Sequence, residues 1–150
     1  MSYQEKNVTV ALVSHLLILV YYFFNLLPIV QSGDWVANRL YALWLIVIVA
    51  TILVTIIGSI LTNIILSIVE ALRSKKYEEP RFITDERDHL IELKGIRIEY
   101  ITYSIGVLSS VLAFVFGQPP LLMISMIFAF GILAEITGDI AKITLYRRGL

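Results

Sequence analysis

Residues 40–69 read LYALWLIVIVATILVTIIGSILTNIILSIV, thirty consecutive positions without one charged side chain. A helix crosses the roughly 30 Å hydrocarbon layer of a bilayer with about 20 apolar residues, so this stretch can span it unaided. Three further runs flank it. Residues 8–30 (VTVALVSHLLILVYYFFNLLPIV) end at Pro28 and a polar QSGD turn, residues 100–116 are closed by the breaker Gly117-Gln118-Pro119-Pro120, and residues 121–146 form the last. The pattern predicts an all-α, four-helix membrane bundle forming one domain, with spans near 8–30, 37–69, 99–117 and 120–146. Composition agrees. Of 150 residues 58% are hydrophobic and 16% charged, where soluble domains run near half and a quarter. With 12 basic against 12 acidic side chains and no cysteine, a disordered chain, a disulfide scaffold, a cysteine-ligated metal domain and a basic nucleic-acid binder are excluded.

A cleaved signal peptide is the rival reading of the first run, because Lys6 precedes it. The run is too long for a signal core and lacks a small-residue cleavage site, so it reads as a span. Eleven of the twelve Lys and Arg residues fall at the amino terminus, in the central segment 71–98 or in the tail, and only Arg39 falls on the other side. By the positive-inside rule both termini and the central segment are cytoplasmic, in an inner (plasma) membrane. The second run is longer than a span requires. Either it tilts steeply, or its last turns, with Asn63, Ser67 and Glu70, rise out of the lipid; the polar residues favour the latter.

Helices associate in lipid through small residues and shared hydrogen bonds. Gly106, Ser110, Ala113 and Gly117 form one stripe on the third helix, Thr51, Thr55, Gly58 and Thr62 one on the second, and Gly131, Ala134 and Gly138 one on the fourth. These stripes suit packing within the bundle, or a homodimer seam. Aromatic residues (Tyr21 to Phe24, Trp35, Tyr41, Trp44, Tyr100, Tyr103, Tyr146) fit an interfacial belt.

The charges concentrate before the third span. Residues 71–83 read as a connector broken by Pro80, and TDERDHLIELKGIRIEY (84–100) reads as an amphipathic helix capped at Thr84 or Asp85, either turning at Gly95 or running straight into the membrane. Asp85, Glu86, Arg87, Asp88, Glu92, Lys94 and Arg97, with Lys142 of the fourth helix, are candidates for a cytoplasmic docking surface or clamp. The pattern D-E-R-D-x-x-I-E-x-K-x-x-R before an apolar span, together with the closing Tyr146-Arg147-Arg148-Gly149, resembles a group of small multi-span bacterial membrane proteins. The resemblance covers residues 84–149 in outline and implies a compact membrane protein, with no catalytic residues to carry over. Glu86 and His89 have the Glu-x-x-His spacing of di-iron bundle helices, with Asp85, Asp88 and Glu92 nearby. That motif is needed twice and occurs once, so a solvated face of ion pairs is expected and no metal.

Ionisable groups within spans are functional candidates by default. Glu135, Asp139 and Lys142 stand at i, i+4 and i+7 on one face of the fourth helix; Glu135 lies about 22 Å and Asp139 about 28 Å from Pro120. His15 of the first helix and Glu99 of the third reach similar depths. Two readings stay open. In one, Glu135 and Asp139 pair with Lys142, Arg97 or Lys94 as a structural clamp, with His15 bonded to a neighbour. In the other, His15, Glu99, Glu135 and Asp139 form a proton or cation site. Small multidrug exporters are similar in size and span number and use a membrane glutamate, but theirs lies in the first helix, where this chain has His15.

No nucleophile with a suggestive partner, no glycine-rich phosphate loop and no cysteine occurs, which points away from an enzyme. The expectation is a non-enzymatic four-span protein, without cofactor, that meets the lipid bilayer, a second copy of itself and a cytoplasmic protein partner, but no nucleic acid. The alternative is a small proton- or cation-coupled transporter or channel using Glu135 and His15.

Overall fold

The computed structural model describes residues 3–33, 35–58, 60, 64, 68 and 86–148. They form four helices and no strand: α1 (Tyr3–Ser32), α2 (Ala37–Leu53, passing into a π-helical turn over Val54–Gly58), α3 (Glu86–Val115) and α4 (Pro120–Arg148). Each is long and apolar enough to cross a membrane, the second counted to Ile57. The connector 71–83, the cap at Thr84 and Asp85, and Thr62, Asn63, Ser67 and Glu70 lie outside the described residues.

Glycine supplies the left-handed backbone at both short turns. Gly33 has φ 66° and ends α1; Gly117 has φ 90° and ends α3. At the second turn the Gly117 N–H donates to Phe114 O (2.9 Å) and the Gln118 N–H to Ala113 O (3.1 Å), the paired bonds of a Schellman motif. Gly117 therefore stops the helix and is exposed, where the stripe reading had placed it in a packing seam. Pro120 then opens α4 at the first helical position, where its missing N–H costs nothing.

Helices α1, α3 and α4 have 30, 30 and 29 residues, about 45 Å each, half as long again as the hydrocarbon layer. The end that carries Tyr3 and Arg148 is called the polar end below; the opposite end carries the two short turns. The charged segment 86–98 is the beginning of α3 itself. It runs straight into the span through Gly95, where the Lys142 side chain of α4 packs directly on the helix backbone.

α4 is the hub. It packs along α3 on one side and along α1 on the other, and α2 leans on α1 and α4. Between α1, α2 and α4 lies the apolar core, built on Ile18, Tyr22, Leu26, Leu40, Leu43, Trp44, Val47, Ala129, Ile132 and Ile136. Tyr22 is fully buried and its hydroxyl donates to Ser125 O (2.7 Å), while Trp44 stacks on Phe128 at 5.4 Å. These two aromatics belong to the core, unlike the outward Tyr21, Phe23, Phe24 and Tyr41 with which the belt reading had grouped them. Along α3 and α4, Gly106 lies against the Phe130 ring and Gly138 against the Glu99 side chain, and Ser110 is buried. Ala113 is half-buried. Gly131 differs: a Cβ there would meet only the Tyr103 ring, at 3.9 Å.

Candidate functional site

Hydroxyls within a span find few partners besides the helix backbone, and here they use it. Thr9, Thr51, Thr55, Ser104, Ser109, Ser110, Ser125 and Thr144 each donate to the carbonyl four residues earlier, at 2.7–2.9 Å. Chemistry at this fold therefore rests on the ionisable groups, and these gather at the polar end.

The helical spacing puts Glu135, Asp139 and Lys142 on one side of α4, and the helices flanking α4 draw them apart. Asp139 turns to α1, where its Oδ2 meets His15 Nδ1 at 2.9 Å, both side chains about 95% buried. Lys142 turns to α3, where its Nζ meets Glu99 Oε1 at 2.8 Å. Nearer the helix ends, Arg147 Nε donates to Glu5 Oε1 (3.2 Å) and Arg87 Nη2 to Tyr146 O (3.2 Å). Farther inside, the Thr137 hydroxyl joins α4 to Thr102 of α3 at 3.0 Å. So α4 is tied to α1 by two ion pairs and to α3 by one, with a side-chain to backbone bond beyond it.

His15 is bonded to a neighbour, as the clamp reading expects, but the partners of the acidic groups differ from those it assigns. Lys94 and Arg97 are exposed and reach neither Glu135 nor Asp139. Glu135 makes no hydrogen bond or ion pair among the described residues. It stands where three cavities meet. One of about 200 Å³ lies between α1, the π-helical turn and α4, bordered by Asn7, His15, Val54, Thr55, Glu135, Asp139 and Lys142. A second, about 390 Å³, lies between α2 and α3 over α4, and a third, about 340 Å³, between Ile96, Glu99, Tyr100, Tyr103, Gly131, Ala134 and Glu135. His15 Nε2 is buried beside the first without a hydrogen-bond partner.

The structure thus brings His15, Glu99, Glu135, Asp139 and Lys142 into one neighbourhood and leaves the rest of the charged segment outside it. Glu86, Arg87, His89, Glu92, Lys94 and Arg97 are exposed on the first turns of α3, Asp88 is half-buried beside Tyr146, and Asp85 lies outside the described residues. Among the described residues no three His, Cys, Asp or Glu side chains are placed to hold a metal ion. In the turn-end half, the polar side-chain groups buried among the described residues are the hydroxyls of Tyr22, Ser110 and Ser125 and the indole N–H of Trp44, none of them ionised at neutral pH.

Sequence reasoning missed Glu5 and Arg147. Both follow from the topology: the first turn of α1 and the last of α4 must share one end, and an acid and a base stand there. Comparison with family models, with curated proteins and with solved structures returns no match.

Proposed function

We infer that this chain is a non-enzymatic multi-pass protein of a bacterial inner membrane, with both termini cytoplasmic, that works by assembling with a second copy through its polar end. One observation carries the reading. Counting about 20 residues of α3 back from Val115 reaches Ile96, so the turns before it stand outside the hydrocarbon. Yet Leu90 and Leu93 on those turns are 58% and 63% exposed. Large apolar side chains facing water mark an interaction surface. Glu92, Lys94 and Arg97 around them carry both signs of charge, as a self-complementary two-fold contact requires. The Lys142–Glu99 ion pair behind this face ties it to α4.

The chain lacks cysteine, so a Leu93→Cys variant carries a single thiol. Oxidation in membranes at high lipid-to-protein ratio should convert it to a disulfide dimer. Val13→Cys, on the outward face of α1, should stay monomeric under the same treatment. Equal crosslinking of the two variants, or none at Leu93, contradicts assembly through this face.

A second reading is favoured by the lack of a partner at Glu135: proton or cation transfer through Glu135 and His15. The apolar packing of the turn-end half opposes it. Liposome flux separates the two, because assembly alone gives none, whereas transfer gives flux that Glu135→Gln abolishes.

A further inference from the structure

The 390 Å³ cleft between α2 and α3 has a feature that neither docking nor proton transfer uses. Its walls are Val47, Ile48 and Ile52 of α2 and Tyr103 of α3, its floor is Phe128 and Gly131 of α4, and one ionisable group, Glu135, closes its polar end. Volumes of this size suit a small organic molecule. Ile48 and Ile52 are 40% and 51% exposed, so the cleft opens sideways, towards lipid.

Gly131 keeps the floor bare. A glycine inside a helix weakens it and is usually retained for close packing or for space. Close packing explains Gly95, Gly106 and Gly138, where an added Cβ would collide with Lys142, Phe130 and Glu99. It does not explain Gly131, whose added Cβ would meet only one ring atom in ordinary contact. The glycine preserves volume in the cleft.

Charge selects the occupant. The cations nearest Glu135 are already engaged, Lys142 by Glu99 and His15 by Asp139. An unpaired carboxylate next to low-dielectric walls favours a positive partner. Tyr103 and Phe128 add aromatic faces, which attract a diffuse cation. A phosphate-bearing headgroup would set its negative charge against Glu135, so an anionic lipid is disfavoured. We propose that the α2–α3 cleft is a binding site for lipophilic organic cations, entered from the bilayer, with Glu135 as counter-ion and Gly131 as the space-giving residue. The site is separate from the Leu90–Leu93 face, so its failure leaves the assembly reading untouched.

The test is equilibrium binding of radiolabelled tetraphenylphosphonium to the purified full chain in micelles, with triphenylphosphine oxide as an uncharged competitor of similar shape. The expected result is saturable binding to the wild-type chain that triphenylphosphine oxide does not displace. Glu135→Gln should weaken it at least tenfold by removing the charge, and Gly131→Leu at least tenfold by filling the cleft while the charge stays. Because Gly131→Leu adds bulk only where the cleft is open, it should keep the wild-type melting temperature within a few degrees and remains informative should the Gln variant misfold. Absence of saturable binding, as when lipid or a second copy fills the cleft, overturns the proposal. So does displacement by the uncharged phosphine oxide as effective as by unlabelled tetraphenylphosphonium, or unchanged affinity in both variants.

Discussion

Breaking the His15–Asp139 pair one side at a time should cost far more than removing it whole. The two side chains are 5% and 6% exposed and meet at 2.9 Å, so each is the other's replacement for water. His15→Leu leaves a buried carboxylate without a partner, a loss of about 3–5 kcal/mol. Asp139→Leu strands an imidazole whose Nε2 already lacks a partner, about 1–3 kcal/mol for an unsatisfied buried group. The double variant removes both penalties and replaces the pair by two leucines of similar volume, at about 1 kcal/mol or less. These ranges imply strong coupling, but chains unfolded within a membrane find alternative polar partners, which holds interhelical couplings to about 1.7 kcal/mol or less. We therefore take those ranges as upper bounds and expect a coupling energy of about 1–1.7 kcal/mol. The assay is SDS-driven unfolding in mixed micelles, followed by the fluorescence of Trp35 and Trp44 across the full double-mutant cycle. Single effects that add to within about 0.5 kcal/mol would refute the idea that these residues act as one clamp between α1 and α4.

The glycines offer a matched comparison in the same unfolding assay. Gly138→Ala should destabilise by about 1–3 kcal/mol, because its Cβ displaces Glu99 from its place beside Lys142. Gly131→Ala should be neutral or stabilising by up to about 1 kcal/mol, since the methyl finds room and alanine is the better helix former. Gly117→Ala forces a non-glycine residue to φ 90° and should cost about 1–2 kcal/mol. Tyr22→Phe removes a buried hydroxyl from Ser125 O and should cost about 0.5–1.5 kcal/mol, measured as a lower SDS midpoint without loss of the fold.

The spans were legible because lipid imposes one rule on every residue at once: an uncharged run of the right length has nowhere else to go. The second short turn was legible for a similar reason, Gly117 followed by two prolines being incompatible with a continuing helix. The pairings were not. Spacing placed Glu135, Asp139 and Lys142 on one side of α4, but which helix each meets depends on where α1 and α3 cross it. Local sequence does not encode that crossing, so Lys142 was assigned to Glu135 or Asp139 and instead takes Glu99. Tyr22 and Trp44 looked like belt residues by position along the chain, and their burial follows from α2 leaning on α1 and α4. Gly131 carries the same sequence signal as Gly138, yet only Gly138 faces a neighbouring side chain at close range.

At the polar end, Asp139 is held by His15 and Glu99 by Lys142, while Glu135 stands unpaired among the described residues at the meeting of three cavities. A membrane-permeant carbodiimide reads this division directly, because it attaches covalently to carboxyl groups that are accessible from an apolar phase. Treatment of the chain in native membranes, followed by peptide mass mapping, should place the adduct on Glu135 and leave Asp139 and Glu99 unmodified. An adduct on Asp139 or Glu99 in preference to Glu135 would contradict the account.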